Sequence, residues 1–245
     1  MDNRIISYVL QDAGILIEAA LVLYVAWTRQ WKKQGTAAFY LTCLLVAQLT
    51  RACVLHAYGF ASLRYYYIYW STDFLLVLSA YLAVCLLFRR VDLRQEKMWG
   101  LIRLLLVLVF ILVAAISGVS LSLNRKHFFT YFIIAFNQNL YFACLALNTL
   151  LYVLLRYMDS TDNQLALLVC GVGIQFAGPT AALALVHLTT GGGFALWLGS
   201  LVMRICTFGM LLVWAYAIIR AKDKATQVTR REIPGLAEVT AELNV

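Results

Sequence analysis

Apolar positions along the chain neither alternate nor recur in a narrow stripe; they fall in long continuous runs separated by short polar, charged or glycine-bearing breaks. Seven such runs stand out, at approximately 5–27, 37–57, 65–88, 99–121, 128–157, 163–188 and 194–220. A helix of about 20 apolar residues crosses the roughly 30 Å hydrocarbon layer of a bilayer. Strands of a membrane barrel would instead show alternation in units of about ten residues. The pattern therefore predicts an all-α membrane protein, a seven-transmembrane-helix bundle over residues 1–220 followed by a short polar tail at 221–245.

Composition agrees with this reading and narrows it. Hydrophobic residues make up 63% of the 245 positions, charged ones 13%, and the mean hydropathy is +0.80. A soluble domain carries roughly 25% charged residues, so the chain belongs with integral membrane proteins. Seven helices with short connections use nearly its whole length, which leaves one compact membrane domain. The first run is expected to be a helix rather than a secretory leader. Its flank, MDNR, holds one acid against one base, the run is too long, and no small-residue cleavage motif follows.

Lys and Arg collect on alternate connections. Arg29, Lys32 and Lys33 follow the first run; Arg89, Arg90, Arg94, Lys97 and Arg103 surround the third break; Arg156 closes the fifth run; Arg220, Lys222, Lys224, Arg230 and Arg231 open the tail. The opposite connections hold only Arg4, Arg64, Arg125 and Lys126. Basic loops stay in the cytoplasm, so the N-terminus is predicted outside and the C-terminus inside. The net charge of +8 is then explained by loops facing anionic lipid head groups. Nucleic acid is excluded as a partner because no aromatic and basic module accompanies the charge.

The runs differ in character. The fourth, WGLIRLLLVLVFILVAAISGVSLSL, is aliphatic on all sides and suits the periphery. The fifth places Asn137, Tyr141, Cys144 and Asn148 at spacings of four, three and four, on one helical face that must turn inward to find partners. The sixth gathers Gly171, Gly173, Gln175, Gly178 and Pro179. Small residues admit a close neighbour, and proline removes a backbone hydrogen bond, so Gly178 and Pro179 are the candidate hinge.

Among the charged residues within the apolar runs, Glu18, Arg51, Asp73 and Arg204 are placed at membrane depth. Each left alone near the bilayer centre costs about 2.5–3.5 kcal/mol, roughly 10 kcal/mol for the four, so they are expected to meet inside the bundle. Tyr66, Tyr69 and Asp73 share one face of the third run; Gln48, Arg51 and Leu55 share one on the second; Trp197, Ser200, Arg204 and Thr207 share one on the seventh. Asp73 is expected to pair with Arg204 or Arg51 beneath an outward-facing cavity lined by tyrosines. The candidate ligand site comprises Asp73, Arg204, Arg51, Glu18, Tyr66, Tyr69, Trp197 and Gln175. Its expected guest is a small polar or cationic ligand that competes for Asp73.

Six cysteines lie inside the runs with no close pair, and three histidines, His56, His127 and His187, lie near the outer surface. Neither set has the spacing of a metal, haem or redox centre, so no cofactor and no metal are expected. No catalytic motif is present, and the reading leans away from an enzyme.

Topology resembles that of microbial rhodopsins and heptahelical receptors, with an acid, Asp73, in the outer part of the third helix. The seventh run, GGGFALWLGSLVMRICTFGMLLVWAYAII, has no lysine to hold retinal, and Arg204 cannot act as that amine. The segment YYYIYWSTDFLLVLSAYLAVCLLFRR resembles a loose group of uncharacterised bacterial seven-helix integral membrane proteins, which share an aromatic approach to helix three and a closing basic pair, here Arg89 and Arg90. That resemblance implies a multi-pass protein of the bacterial inner membrane and no particular activity. The functional expectation is a sensor or small-ligand-binding protein that reports to a separate cytoplasmic signalling partner. A small-solute transporter or channel, or a structural membrane component with a buried salt-bridge network, is the alternative.

Overall fold

The computed structural model describes residues 3–27, 31–59, 62–91, 96–122, 128–158, 163–188, 198–199 and 201–220. Among them there are seven long helices and no strand: α1 (Asn3–Trp27), α2 (Trp31–Tyr58), α3 (Leu63–Arg90), α4 (Glu96–Ser122), α5 (Phe128–Tyr157), α6 (Asn163–Leu188) and α7 (Leu201–Arg220). Six of them, α2 to α7, are long and apolar enough to cross a membrane, and α1 carries a shorter apolar stretch, Ala13–Trp27. The chain is a polytopic helical membrane protein. The tail at 221–245 lies outside the described residues.

Helix ends follow local chemistry. Gly59 takes φ 72°, a left-handed conformation that a side chain resists, and its N–H donates to the Leu55 carbonyl at 2.9 Å to close α2. Three residues on, Ser62 is extended at φ −82°, ψ 138°, and its hydroxyl accepts from the Tyr65 N–H at 3.1 Å, capping α3. At the other end of α3, Arg89 and Arg90 occupy the last turn, where positive charge complements the helix dipole.

Neighbour relations run α1–α2–α3–α5–α6, with α4 on the outside of α5 and α3 also touching α6. The last helix closes against α6 and α2: Trp214 of α7 donates its indole N–H to the Leu168 carbonyl at 3.0 Å and meets Tyr40 of α2 edge-on at 5.8 Å. Glycine makes that approach feasible. A Cβ on Gly171 would stand 2.5 Å from the Trp214 ring, and one on Gly178 would stand 2.8 Å from Cys206 Cβ.

The core gathers along the C-terminal half of α3, where Val77, Ala80, Val84, Leu87 and Phe88 recur at helical spacing and are buried. Against it pack Leu140, Cys144, Leu147 and Leu151 of α5, Val172 and Phe176 of α6, and Met210 and Trp214 of α7. The opposite extreme is α4, which leaves Leu101, Leu104, Leu108, Ile111, Leu112 and Val119 exposed and buries chiefly Leu106, Val113 and Ser117, as its all-round aliphatic sequence predicts.

Candidate functional site

Asp73 pairs with Arg51 rather than with Arg204. The Arg51 Nη2 donates to Asp73 Oδ1 at 3.2 Å, and the side chains are 21% and 23% exposed. From the residue before Asp73, Thr72 Oγ1 accepts from Arg51 Nε at 2.7 Å, and one turn earlier the Tyr69 carbonyl receives a weaker bond from Nη2 at 3.3 Å. The guanidinium also stacks over the Tyr69 ring, 4.4 Å from its centroid. From α5, Asn137 Nδ2 donates to the remaining carboxylate oxygen, Asp73 Oδ2, at 2.6 Å. One cluster thus ties α2, α3 and α5 together.

Helical spacing accounts for that convergence. Arg51 lies two turns from the end of α2 and Asp73 nearly three turns from the start of α3, and only the four residues 59–62 separate the two helices in sequence. Residues at comparable distance from a tight antiparallel connection come to the same depth, about 1.5 Å per residue. Thr72 bonds back to the Ile68 and Tyr69 carbonyls at 2.8 and 2.9 Å, which fixes its oxygen facing the arginine.

Rings gather on the turns of α3 that precede this cluster. Tyr69 contacts Tyr65 at 6.1 Å and Trp70 at 5.6 Å, while Tyr66 packs edge-on against Tyr67 and Trp70. The Tyr69 hydroxyl lies within electrostatic range of Asp73, Arg51 and Arg204, so the second arginine approaches the cluster from α7 without replacing Arg51 in the ion pair. Trp197 lies outside the described residues.

Glu18 takes a different course from the expected charge network. It is fully buried, and its Oε1 accepts from Gln48 Nε2 at 2.9 Å. Gln48 and Arg51 are neighbours on α2, yet one serves α1 and the other α3, because α2 lies between those helices. Gln175 is also apart from the ion pair. It sits in hydrogen-bonding range of the Tyr40 hydroxyl, beside a crevice lined by Tyr40, Ala80, Ala83, Val172 and Phe176 that has no room for a water molecule.

Between these two polar centres stands the inward face of α5. Asn137, Cys144 and Asn148 are buried there, as their spacing predicts, and Tyr141 lies within electrostatic range of Asp73, Arg51, Tyr40 and Cys144. Asn137, Thr72, Tyr40 and Tyr141 are the site residues missed from sequence. The signal for Asn137 and Tyr141 was their shared face, whereas Tyr40 and Thr72 carried none.

Gly178 and Pro179 are both buried within the continuous span of α6, where Gly178 faces Cys206 and Met203 of α7. Comparison with protein-family models, curated proteins and solved structures finds no match for this chain.

Proposed function

We propose that the chain crosses the membrane seven times, N-terminus outside, and works as a sensor of a small polar ligand received at the outer end of α2, α3 and α7. The observation that carries the reading is the partial exposure of the Arg51–Asp73 pair beneath Tyr69, whereas Glu18, Asn137 and Asn148 are buried. A strut needs no access, since its attraction is strongest where water is excluded. A receptor site needs charged groups that an incoming solute can touch.

The local charge refines the guest. Both Asp73 oxygens are already engaged by Arg51 and Asn137, so a cation would have to displace an arginine. Arg204 adds a second positive charge near Tyr69, against a single acid. The balance favours a polar molecule with an anionic group, held by an arginine fork and stacked on Tyr69. Its arrival on Arg204 of α7 would be felt at Gly178–Pro179, where α7 rests on α6, and passed to a partner at the cytoplasmic face.

A second reading has its own support: the cluster joins three helices through direct hydrogen bonds, which is what a structural clamp would do. Ligand-induced thermal stabilisation separates the two. Purified protein in detergent is screened against small carboxylates, amino acids, amines and neutral sugars, with Arg204→Gln in parallel. The sensor reading expects a shift from an anionic or zwitterionic class that Arg204→Gln loses. If a broad panel shifts nothing, the clamp is the better account; a response confined to amines would overturn the proposed charge preference.

A further inference from the structure

Glu18 plays no part in the outer cluster and has an environment of its own. Its side chain is fully buried in α1, Gln48 occupies Oε1, and Oε2 is sealed from solvent with no hydrogen-bond partner among the described residues. No arginine, lysine or histidine stands within ion-pair distance of it among the described residues. The nearest cation along α2, Arg51, is committed to Asp73. A carboxylate left ionised in such a place has neither water nor counter-charge, which is the costliest state for a buried acid.

Something must neutralise it, at an Oε2 that is sealed from solvent. A proton needs no volume. We propose that Glu18 is a proton-binding site within the helix bundle. Gln48 holds the carbonyl oxygen, and Oε2 takes up and releases the proton. The step is balanced simply: a proton from the aqueous phase bonds to an Oε2 lone pair, the side chain goes from one negative charge to none, and the reverse returns it to water.

The groups facing this site come from several helices. Tyr40 of α2 lies within electrostatic range of Glu18; Gln175 of α6 lies in hydrogen-bonding range of the Tyr40 hydroxyl, and its own Oε1 has no partner among the described residues; Cys43 and Cys144 lie within electrostatic range of the same tyrosine. Tyr141 of α5 lies within range of both Tyr40 and Asp73. Hydroxyls therefore stand at intervals between the buried acid and the outer cluster, and they mark the side from which the proton exchanges. Protonation would release α1 from a charge it cannot share and tighten it on α2, whose Gln48 it already holds. This inference rests on Glu18 and its surroundings alone, and it stands or falls apart from the ligand reading.

Infrared difference spectroscopy of the full chain in lipid nanodiscs tests it through the C=O stretch of a protonated carboxyl. The expected result is a band present at neutral pH, lost on titration to alkaline pH, restored on return, and missing from Glu18→Gln. Gln48→Leu supplies a check that does not depend on that variant folding: it removes the hydrogen bond to the carbonyl oxygen and should raise the frequency of the same band. A wild-type protein with no such band at any pH at which it stays folded would overturn the proposal. A band that persists unchanged to the alkaline limit would also overturn it, since a proton that never leaves is structural. Loss of the band on adding sodium at constant pH would reassign the site to a metal cation.

Discussion

Asp73 has two carboxylate oxygens, and each is held by a different helix, Oδ1 by Arg51 of α2 and Oδ2 by Asn137 of α5. Removing its charge leaves Arg51 facing an amide, while removing Arg51 leaves an acid with one amide donor. Because about a fifth of each side chain remains exposed, the cost should fall below that of a sealed ion pair. Asp73→Asn and Arg51→Gln are each expected to lower stability by about 1–2 kcal/mol in denaturant unfolding in detergent. The double variant should reveal a coupling of about 0.5–3 kcal/mol. Strict additivity would mean that the two side chains do not act together. At this scale the acid was legible in YYYIYWSTDF, since a carboxylate within an apolar run needs a partner. Its choice of Arg51 over Arg204 was not, because sequence spacing gives the face of a helix and leaves open which neighbour that face meets.

Glycines show how the same residue type differs between elements. On α6, Gly171 and Gly173 face side chains that leave no space for a methyl group: a Cβ would come within 2.5 Å of Trp214 and 2.8 Å of Asn148 Nδ2. On α4, Gly118 has nothing within 4 Å. Gly171→Ala should therefore destabilise by about 1–3 kcal/mol, because the Trp214 ring must move and its bond to the Leu168 carbonyl is strained. Gly118→Ala should be neutral or stabilising by up to about 1 kcal/mol, since alanine restricts the unfolded chain and meets no obstacle. Thermal unfolding of the two variants side by side checks the contrast, and equal destabilisation would contradict the α6–α7 packing. Element by element, each of the seven apolar runs contains a helix, because continuous hydrophobicity over such lengths leaves the backbone no other way to satisfy its hydrogen bonds in lipid; α2 begins six residues before its run, and part of the seventh run lies outside the described residues. The peripheral place of α4 was equally plain.

For the molecule as a whole, the distribution of basic residues predicts that the α2–α3 connection lies outside and the α3–α4 connection in the cytoplasm. In a background free of the six native cysteines, Gly59→Cys should react with a membrane-impermeant maleimide on intact cells. Arg89→Cys, exposed in the last turn of α3, should react only after permeabilisation. The reverse pattern would invert the orientation, and with it the direction from which a ligand reaches Tyr69. Labelling at both positions without permeabilisation would contradict seven crossings.

The seven apolar runs, the polytopic helical class, the lipid-facing role of α4 and the inward face of α5 were all determined by the sequence itself. Each follows from the periodicity and hydrophobicity of a single segment, which local physics converts directly into structure. The tertiary structure alone decided which polar groups meet: Arg51 with Asp73 and Asn137, Glu18 with Gln48 and away from any arginine, Gln175 with Tyr40. Those pairings depend on which helices are neighbours and how each is rotated, and both are set by packing between segments far apart in the chain.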